Sequence, residues 1–173
     1  MSKKDDKRVL MVAGRIDDAI VGGVFSWIME SMEDSKTKPV SLYINSTGGC
    51  SSDALALYDY IKHCELEINT YAMGICHSAA LILFLAGNRR YTYKHASFMW
   101  HAGMGKISEY TSAEDIAAYS DWIARLELNC NVVIKERASI PQKVLKLAEI
   151  RDVFFDAKQA LMWKVCDEIL GEE

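Results

Sequence analysis

The sequence contains no C-x-x-C pair and no long apolar run, and only two of its 173 residues are proline. The five cysteines form an odd set without metal-ligand spacing: Cys50, Cys64, Cys76, Cys130 and Cys166. Such a set indicates reduced thiols in a cytoplasmic protein rather than a disulfide or zinc framework. We therefore expect neither a metal nor another cofactor.

Strong charge of one sign is also missing. The formal net charge is only −4 and no basic tract is present, which argues against a nucleic-acid surface. The longest apolar run, Ala79 to Ala86, is too short to span a bilayer, so no membrane segment is expected. The polar residues Met1 to Arg8 resemble neither a signal peptide nor a transit peptide.

What is present is a regular alternation of strands and helices. Apolar runs end at short turns and are followed by segments whose apolar residues recur at helical spacing. The predicted strands are Val9–Val12, Val40–Asn45 and Ile68–Met73. This order predicts an α/β fold built from right-handed parallel βαβ units. The length fits one domain over residues 1–173, with residues 1–8 as a short polar tail. Past Gly87, two further strands are expected around a turn, Arg90–Tyr93 and Ser97–His101.

A long helix should follow a loop at Ala102–Tyr110. Thr111-Ser112-Ala113-Glu114 is a capping-box signature that opens it, and its apolar spacing continues to about Glu136. Three large apolar residues lie off the main apolar stripe: Trp122, Leu128 and Val132. A helix that is apolar on more than one face needs a second partner, so we predict a subunit interface here.

Ser78 stands at the corner between a predicted strand and an apolar helix that ends at Gly87. It allows two interpretations. A serine at this position is most often an N-cap, whose side chain accepts a backbone hydrogen bond. Alternatively, it is a nucleophile beside the free N–H groups of a helix N-terminus. A second turn is predicted at Ser46–Gly49, and we regard the Gly49 and Ala79 N–H groups as the candidates for holding an oxyanion.

A serine nucleophile needs a base. His77 adjoins Ser78, but neighbouring helix residues do not face each other. His63 at a helix end and His95 in a turn are expected to be solvated. His101 ends a predicted strand where a glycine-containing loop begins, so its ring can emerge at the edge of a buried sheet.

Four ordered motifs resemble the ClpP-type proteolytic subunits of Clp proteases: Asn45-Ser46-Thr47-Gly48-Gly49, Met73-Gly74 with Ser78, Phe98-Met99-Trp100-His101, and Arg151-Asp152 with Phe154. The similarity extends from about Arg8 to Leu170. It implies a ClpP/crotonase-like spiral of βαβ units, with residues 112–136 as a protruding handle helix.

The resemblance also implies site residues. Ser78 would be the nucleophile, His101 the general base and Asp152 the residue that orients the imidazole, while Gly49 and Ala79 would supply the oxyanion N–H groups. The implied activity is that of a serine endopeptidase that cleaves peptides or unfolded proteins inside a homo-oligomer of stacked rings.

The chain departs from the family pattern at several positions. Thr47 replaces a proline, Cys76-His77 replaces two alanines, Ala79-Ala80 replaces Met-Gly, and Ala102-Gly103 replaces Gln-Pro. Family members carry an axial N-terminal segment that meets an ATP-dependent unfoldase. Only about eight residues precede the first strand here, so the sequence leaves that partner open.

Three alternatives stay open at this point. The chain could be a catalytically silent ClpP-like assembly subunit, although such a subunit has no chemical need for a complete triad. It could be a crotonase-type acyl-thioester enzyme, which needs no serine–histidine pair. As a minor variant, Cys76 could be the nucleophile, although a thiol at that position is more often buried packing.

Overall fold

The computed structural model describes residues 8–103 and 112–171. The strands are β1 Val9–Ile16, β2 Val40–Gly49, β3 Ile68–His77, β4 Arg90–Tyr93, β5 Ser97–Trp100, β6 Val153–Asp156 and β7 Glu168–Leu170. The helices are α1 Asp18–Asp34, α2 Ser51–His63, α3 Ala79–Leu85, α4 Ala113–Arg137, α5 Gln142–Ala148 and α6 Ala157–Met162.

The described strands form one mixed sheet that is mostly parallel. Strands β1, β2, β3, β4 and β7 are neighbours in that order and pair in parallel. Strand β5 pairs in parallel with the end of β3, and β6 pairs with β5 in the antiparallel direction. Parallel neighbours need crossover connections, which the alternating helices provide. The predicted α/β class is confirmed.

Helix α3 is the centre of the core. All seven of its residues are buried, and it packs against β2, β3, α2 and α4. The prediction that Gly87 ends this helix through a glycine cap is wrong: the helix ends at Leu85, and Ala86 caps it in the right-handed helical conformation. Gly87 instead gives room to the Thr70 hydroxyl, since a Cβ at that position would overlap it.

The residues of two predicted turns belong to strands in the structure. Strand β2 continues through Gly49 and β3 through His77, although the predicted strands end at Asn45 and Met73. The register between β2 and β3 shifts after Ile44, and Gly74 lies in the shifted segment with φ +64°. Asn45 stabilises this bulge, because its side-chain oxygen accepts a 3.1 Å hydrogen bond from the Ile75 N–H.

The bulge marks the point at which β3 changes its partner. Residues Thr70–Ala72 pair with β4, whereas Ile75–His77 pair with β5. The two strands predicted around residues 94–96 are therefore both parallel to β3 and do not pair as a hairpin. β4 and β5 thus pair with different parts of β3. The end of β3 lies beside the end of β5, and the candidate site is located there.

Helix α4 begins and ends close to the predicted positions. Ser112 caps it by accepting from the Asp115 N–H at 3.1 Å, one residue later than the predicted start of the capping box. Thr111 and most of the predicted loop lie outside the described residues. Burial is confined to the C-terminal part of the helix, at Cys130, Val133 and Ile134. The first turns of the helix, residues 113–118, are exposed.

All five cysteines are unpaired, as expected of reduced thiols. Within residues 8–103 and 112–171, none of the helices combines the length and the apolar character needed to cross a membrane.

Candidate active site

Ser78 occupies the corner between β3 and α3 in a strained backbone conformation. Its φ of 54° and ψ of −124° are uncommon for a residue with a side chain, and they are maintained by neighbouring bonds. The Ser78 N–H donates to the Met99 carbonyl oxygen at 2.8 Å, and the Leu81 N–H donates to the Ser78 carbonyl oxygen at 2.9 Å. The side chain makes no capping bond, so the N-cap interpretation is wrong. The corner instead presents the hydroxyl outward, as strained strand-to-helix turns do for nucleophilic serines.

His101 meets this hydroxyl. Its Nε2 lies 2.8 Å from Ser78 Oγ. The contact follows from sheet register: β5 lies beside the end of β3, with Met99 opposite His77, so the residue after β5 reaches the strand-to-helix corner. The Ala102 N–H donates to the Ala148 carbonyl oxygen at 2.8 Å and anchors the chain just after the imidazole. With Nε2 unprotonated, the imidazole can accept the serine proton.

Asp152 lies on the other side of the imidazole. Val153 pairs with Trp100 in the antiparallel ladder, which places the preceding residue opposite His101. The Asp152 Oδ1 is 3.9 Å from His101 Nδ1, within ion-pair range but longer than a hydrogen bond. The Asp152 side chain is 56% exposed, compared with 13% for His101. The structure thus brings all three residues together, with the acid contact looser than the serine contact.

The end of β2 is held against the same corner by Ser46. This residue is fully buried; its hydroxyl donates to the Gly14 carbonyl oxygen at 2.5 Å and accepts from the Gly48 N–H at 3.1 Å. The sequence motif contained Ser46, but the residue was not assigned a role. A buried hydroxyl that bonds two backbone segments fixes the position of the glycines that follow it.

Gly48 is in close contact with the nucleophile turn. A Cβ at Gly48 would lie 2.6 Å from the His77 carbonyl oxygen and 3.0 Å from the Ala79 nitrogen. Gly48 also has φ +91°, so it meets two requirements that only glycine satisfies. Gly48 therefore lies against the first N–H of α3, whereas a Cβ at Gly49 would overlap the backbone of Ile16 at the end of β1.

A cavity of about 610 Å³ opens beside Ser78 and His101. The ends of β1 and β2 form one wall, and α4 forms the other with residues spaced along one helical face: Tyr119, Trp122, Ile123, Leu126, Glu127 and Cys130. Sequence reasoning assigned most of these α4 residues to the apolar stripe but did not connect them with the site. Trp122 was predicted to lie at an interface, and it lines this cavity.

Two charged residues, Arg15 and Glu127, line the cavity together with His101, and sequence reasoning did not identify either of them. Arg15 lies at the end of β1, where nothing in the sequence distinguishes it. Glu127 follows Ile123 by four residues, so a charge within an apolar helical face was a signal that could have identified it. Burial raises the pKa of the nearby Cys130 thiol to about 11, and the charge of Glu127 adds to this increase.

Cys76 and His77 immediately precede the nucleophile, and neither can replace it or its base. Cys76 is fully buried, and burial raises the pKa of its thiol far above the ordinary range. The thiol is therefore protonated at neutral pH, and the interpretation of Cys76 as nucleophile is wrong. His77 faces away from Ser78: its Nε2 lies 3.4 Å from Ser97 Oγ, and its ring meets Phe154 edge-on. Burial lowers the pKa of His77, which the charge of Asp152 partly offsets.

The described residues do not include a cluster of three or more His, Cys, Asp or Glu side chains that could hold a metal ion.

The chain is similar to known proteins along almost its whole length. The model of the Clp protease family matches residues 1–173. Similar curated relatives include the ATP-dependent Clp protease proteolytic subunits of Dehalococcoides mccartyi strains BAV1, 195 and CBDB1. Each is 28% identical over 166 residues, which covers 95% of this chain and 82% of the relative.

Proposed function

Because the chain belongs to the Clp protease family and is thus a ClpP-type peptide hydrolase, we propose that Ser78, His101 and Asp152 are its catalytic triad. The observation that carries this proposal is the 2.8 Å contact between Ser78 Oγ and His101 Nε2. A nucleophile and a base at this distance, on a strained strand-to-helix corner, are the minimum that acyl transfer requires.

The proposed reaction begins when Ser78 Oγ attacks the scissile carbonyl carbon and His101 Nε2 accepts its proton. The Gly49 and Ala79 N–H groups hold the oxyanion of the tetrahedral intermediate. His101 then donates the proton to the leaving amine, and an acyl-enzyme remains on Ser78. Water deprotonated by His101 attacks this ester, the carboxylic acid product leaves, and His101 returns the proton to Ser78 Oγ. Asp152 keeps Nδ1 protonated and stabilises the imidazolium throughout.

The two remaining alternatives are not favoured. A silent assembly subunit would not need a serine and an imidazole held at hydrogen-bond distance. A crotonase-type thioester enzyme would use backbone N–H groups without this pair. Membership in the Clp protease family supports peptide hydrolysis over both.

For assembly, we propose one peptidase domain in which α4 is the handle of a cytoplasmic homo-oligomer of stacked rings. Leu128 and Val132 support this because they are exposed apolar residues four positions apart, on one face of α4. The family implies oligomeric assembly and protein substrates. Since the relatives are named as ATP-dependent, an ATP-driven unfoldase is the candidate partner, and co-purification with a tagged subunit would test it.

The triad is tested by covalent labelling. An aryl phosphonate or a β-lactone probe should modify Ser78 in the parent protein, and peptide mass spectrometry should locate the adduct. Ser78→Ala should remove labelling and peptidase activity while leaving the unfolding midpoint close to that of the parent. Ser52→Ala is the control, since this serine also lies at a helix start but outside the triad. A correctly assembled parent that carries the adduct elsewhere, or carries none, would contradict the assignment.

A further inference from the structure

The wall that α4 contributes to the cavity carries one charged side chain among apolar ones. Five of its six lining residues are uncharged, and Glu127 lies one helical turn after Ile123. A carboxylate placed among apolar groups loses part of its hydration, and a cationic partner is the most effective compensation. The position of Glu127 therefore raises the question of which group it binds.

Among residues 8–103 and 112–171, no lysine or arginine forms an ion pair with Glu127. The residue is half-buried, and its Oε2 accepts a long hydrogen bond of 3.4 Å from the Gly103 N–H. The ion pairs within residues 8–103 and 112–171 join other groups: Arg8–Asp34, Lys36–Glu65, Arg90–Asp167 and His101–Asp152. Gly103 follows His101 by two residues, and both residues line the same cavity as Glu127.

An aromatic pair stands on the same helical face. The rings of Tyr119 and Trp122 are 5.4 Å apart, and both residues line the cavity one to two turns before Glu127. Lysine and arginine side chains pack their alkyl stems on such rings while their cationic heads reach a nearby carboxylate. Aromatic rings beside one acid are thus suited to a long basic side chain.

The cavity is also lined by a residue of the opposite charge, which belongs to a different element. Arg15 lies at the end of β1 and pairs with Gly48, next to the proposed oxyanion hole. A cationic substrate side chain is repelled from Arg15 and attracted to the α4 wall, so the two charges orient the peptide as well as attract it.

Building on the proposed function, we propose that Glu127 is a specificity-determining residue that binds a lysine or arginine side chain adjacent to the scissile bond. The Tyr119–Trp122 pair contacts the alkyl stem of that side chain. The substrates of the site are then peptides and unfolded segments cut beside basic residues.

Two measurements test this inference. In the first, an unfolded, alkylated protein is digested by the parent, and mass spectrometry should show lysine and arginine enriched at one of the two positions flanking the cuts.

In the second, fluorogenic peptides differ only in having Lys, Leu or Glu at that position. Glu127→Gln keeps the acceptor for the Gly103 N–H and removes only the charge. It should lower kcat/KM for the Lys peptide roughly five- to tenfold, mainly through KM, and leave the Leu peptide within about twofold. Glu127→Lys should shift the preference to the Glu peptide.

Glu136→Gln is the matched control, because it removes the same charge from an exposed position of the same helix. Phosphonate labelling of Ser78 at the parent rate shows that each variant retains an intact site. A parent that labels and cleaves without a basic preference, or a preference that Glu127→Gln leaves unchanged, would overturn this inference alone. A parent that neither labels nor cleaves would overturn the proposed function together with it.

Discussion

The two sides of the catalytic histidine are built differently. On the nucleophile side, backbone hydrogen bonds hold Ser78, the Ser46 hydroxyl and close backbone contacts hold Gly48, and Ala79 is fully buried. On the acid side, Asp152 is 3.9 Å from the imidazole, and its neighbours Ile150 and Phe154 are 80% and 58% exposed. We refer to these as the nucleophile region and the acid region.

The difference shows which of the catalytic contacts are held in place by the fold of a single chain. The nucleophile region is over-determined, because moving Ser78 would break contacts to β2, β5 and α3 at once. The acid region depends on one antiparallel ladder of four residue pairs between β5 and β6. We therefore expect substitutions in the nucleophile region to affect both folding and catalysis, and those in the acid region to affect mainly catalysis.

The largest expected effect follows Gly48→Ala. The added Cβ would lie 2.6 Å from the His77 carbonyl oxygen, and φ of +91° is unfavourable for alanine. We expect loss of Ser78 labelling and a decrease of roughly 1–3 kcal/mol in the free energy of unfolding, measured by chemical denaturation. Gly22→Ala is the matched control: it lies on an exposed part of α1 with no atom within 4 Å of the added Cβ. This control should be stabilised by about 0.5–1 kcal/mol. Retention of labelling in Gly48→Ala would contradict the close-contact model of the corner.

A smaller but still large effect is expected from Asp152→Asn. The amide keeps the shape of the carboxylate but favours the wrong imidazole tautomer and does not stabilise the imidazolium. Turnover should fall by roughly 10²- to 10⁴-fold in steady-state peptide assays, with little change in KM. The free energy of unfolding should stay within about 0.5 kcal/mol of the parent, because the side chain is mostly exposed.

Glu149→Gln is the control for this prediction, because it removes an exposed negative charge three residues earlier. It should leave turnover close to the parent value. If Asp152→Asn stays within a fewfold of the parent, the acid region does not orient His101 and another group, or none, completes the triad.

The contrast between the two regions also explains what could be predicted from the sequence. Ser78 and His101 were candidates because each stands at the end of a predicted strand, whereas Asp152 was identified only through the resemblance to ClpP-type subunits. The parallel sheet followed from the alternation of elements. The extension of β2 to Gly49 and of β3 to His77 was missed. Glycines predict turns when only local propensity is considered, whereas here they allow bulges and close backbone contacts that depend on distant residues.

The cavity walls were missed for a different reason. Apolar spacing indicates which face of α4 is suited to burial, but it does not indicate what that face meets. Trp122 and Glu127 gain their significance only because α4 crosses beside the ends of β1 and β2. The long distance between Asp152 and His101 could not be predicted either, because motif matching indicates which residues meet but not how far apart they lie.

A substitution on the exposed face of α4 should have the smallest effect on the chemistry. The same substitution is the sharpest test of the acid region. Leu128 and Val132 are 60% and 44% exposed and lie one turn apart. Burial against another subunit would stabilise association by roughly 25 cal/mol per Å² of apolar surface before entropic costs. Val132→Glu should therefore shift the oligomer to smaller species in light scattering. Ser120→Glu, at an exposed polar position of the same helix, should not.

Turnover measured on the same samples then separates the two regions. The nucleophile region is complete within one chain, so dissociated Val132→Glu should still form the phosphonate adduct at Ser78, within a fewfold of the parent rate. Peptide turnover should decrease more than labelling, because dissociation removes support from α4 and from the exposed acid region while leaving the Ser78–His101 contact in place. An equal loss of Ser78 labelling and of peptide turnover would show that assembly positions the nucleophile as well. A parent chain that is fully active as a monomer would contradict the assembly proposal and leave the triad assignment unaffected.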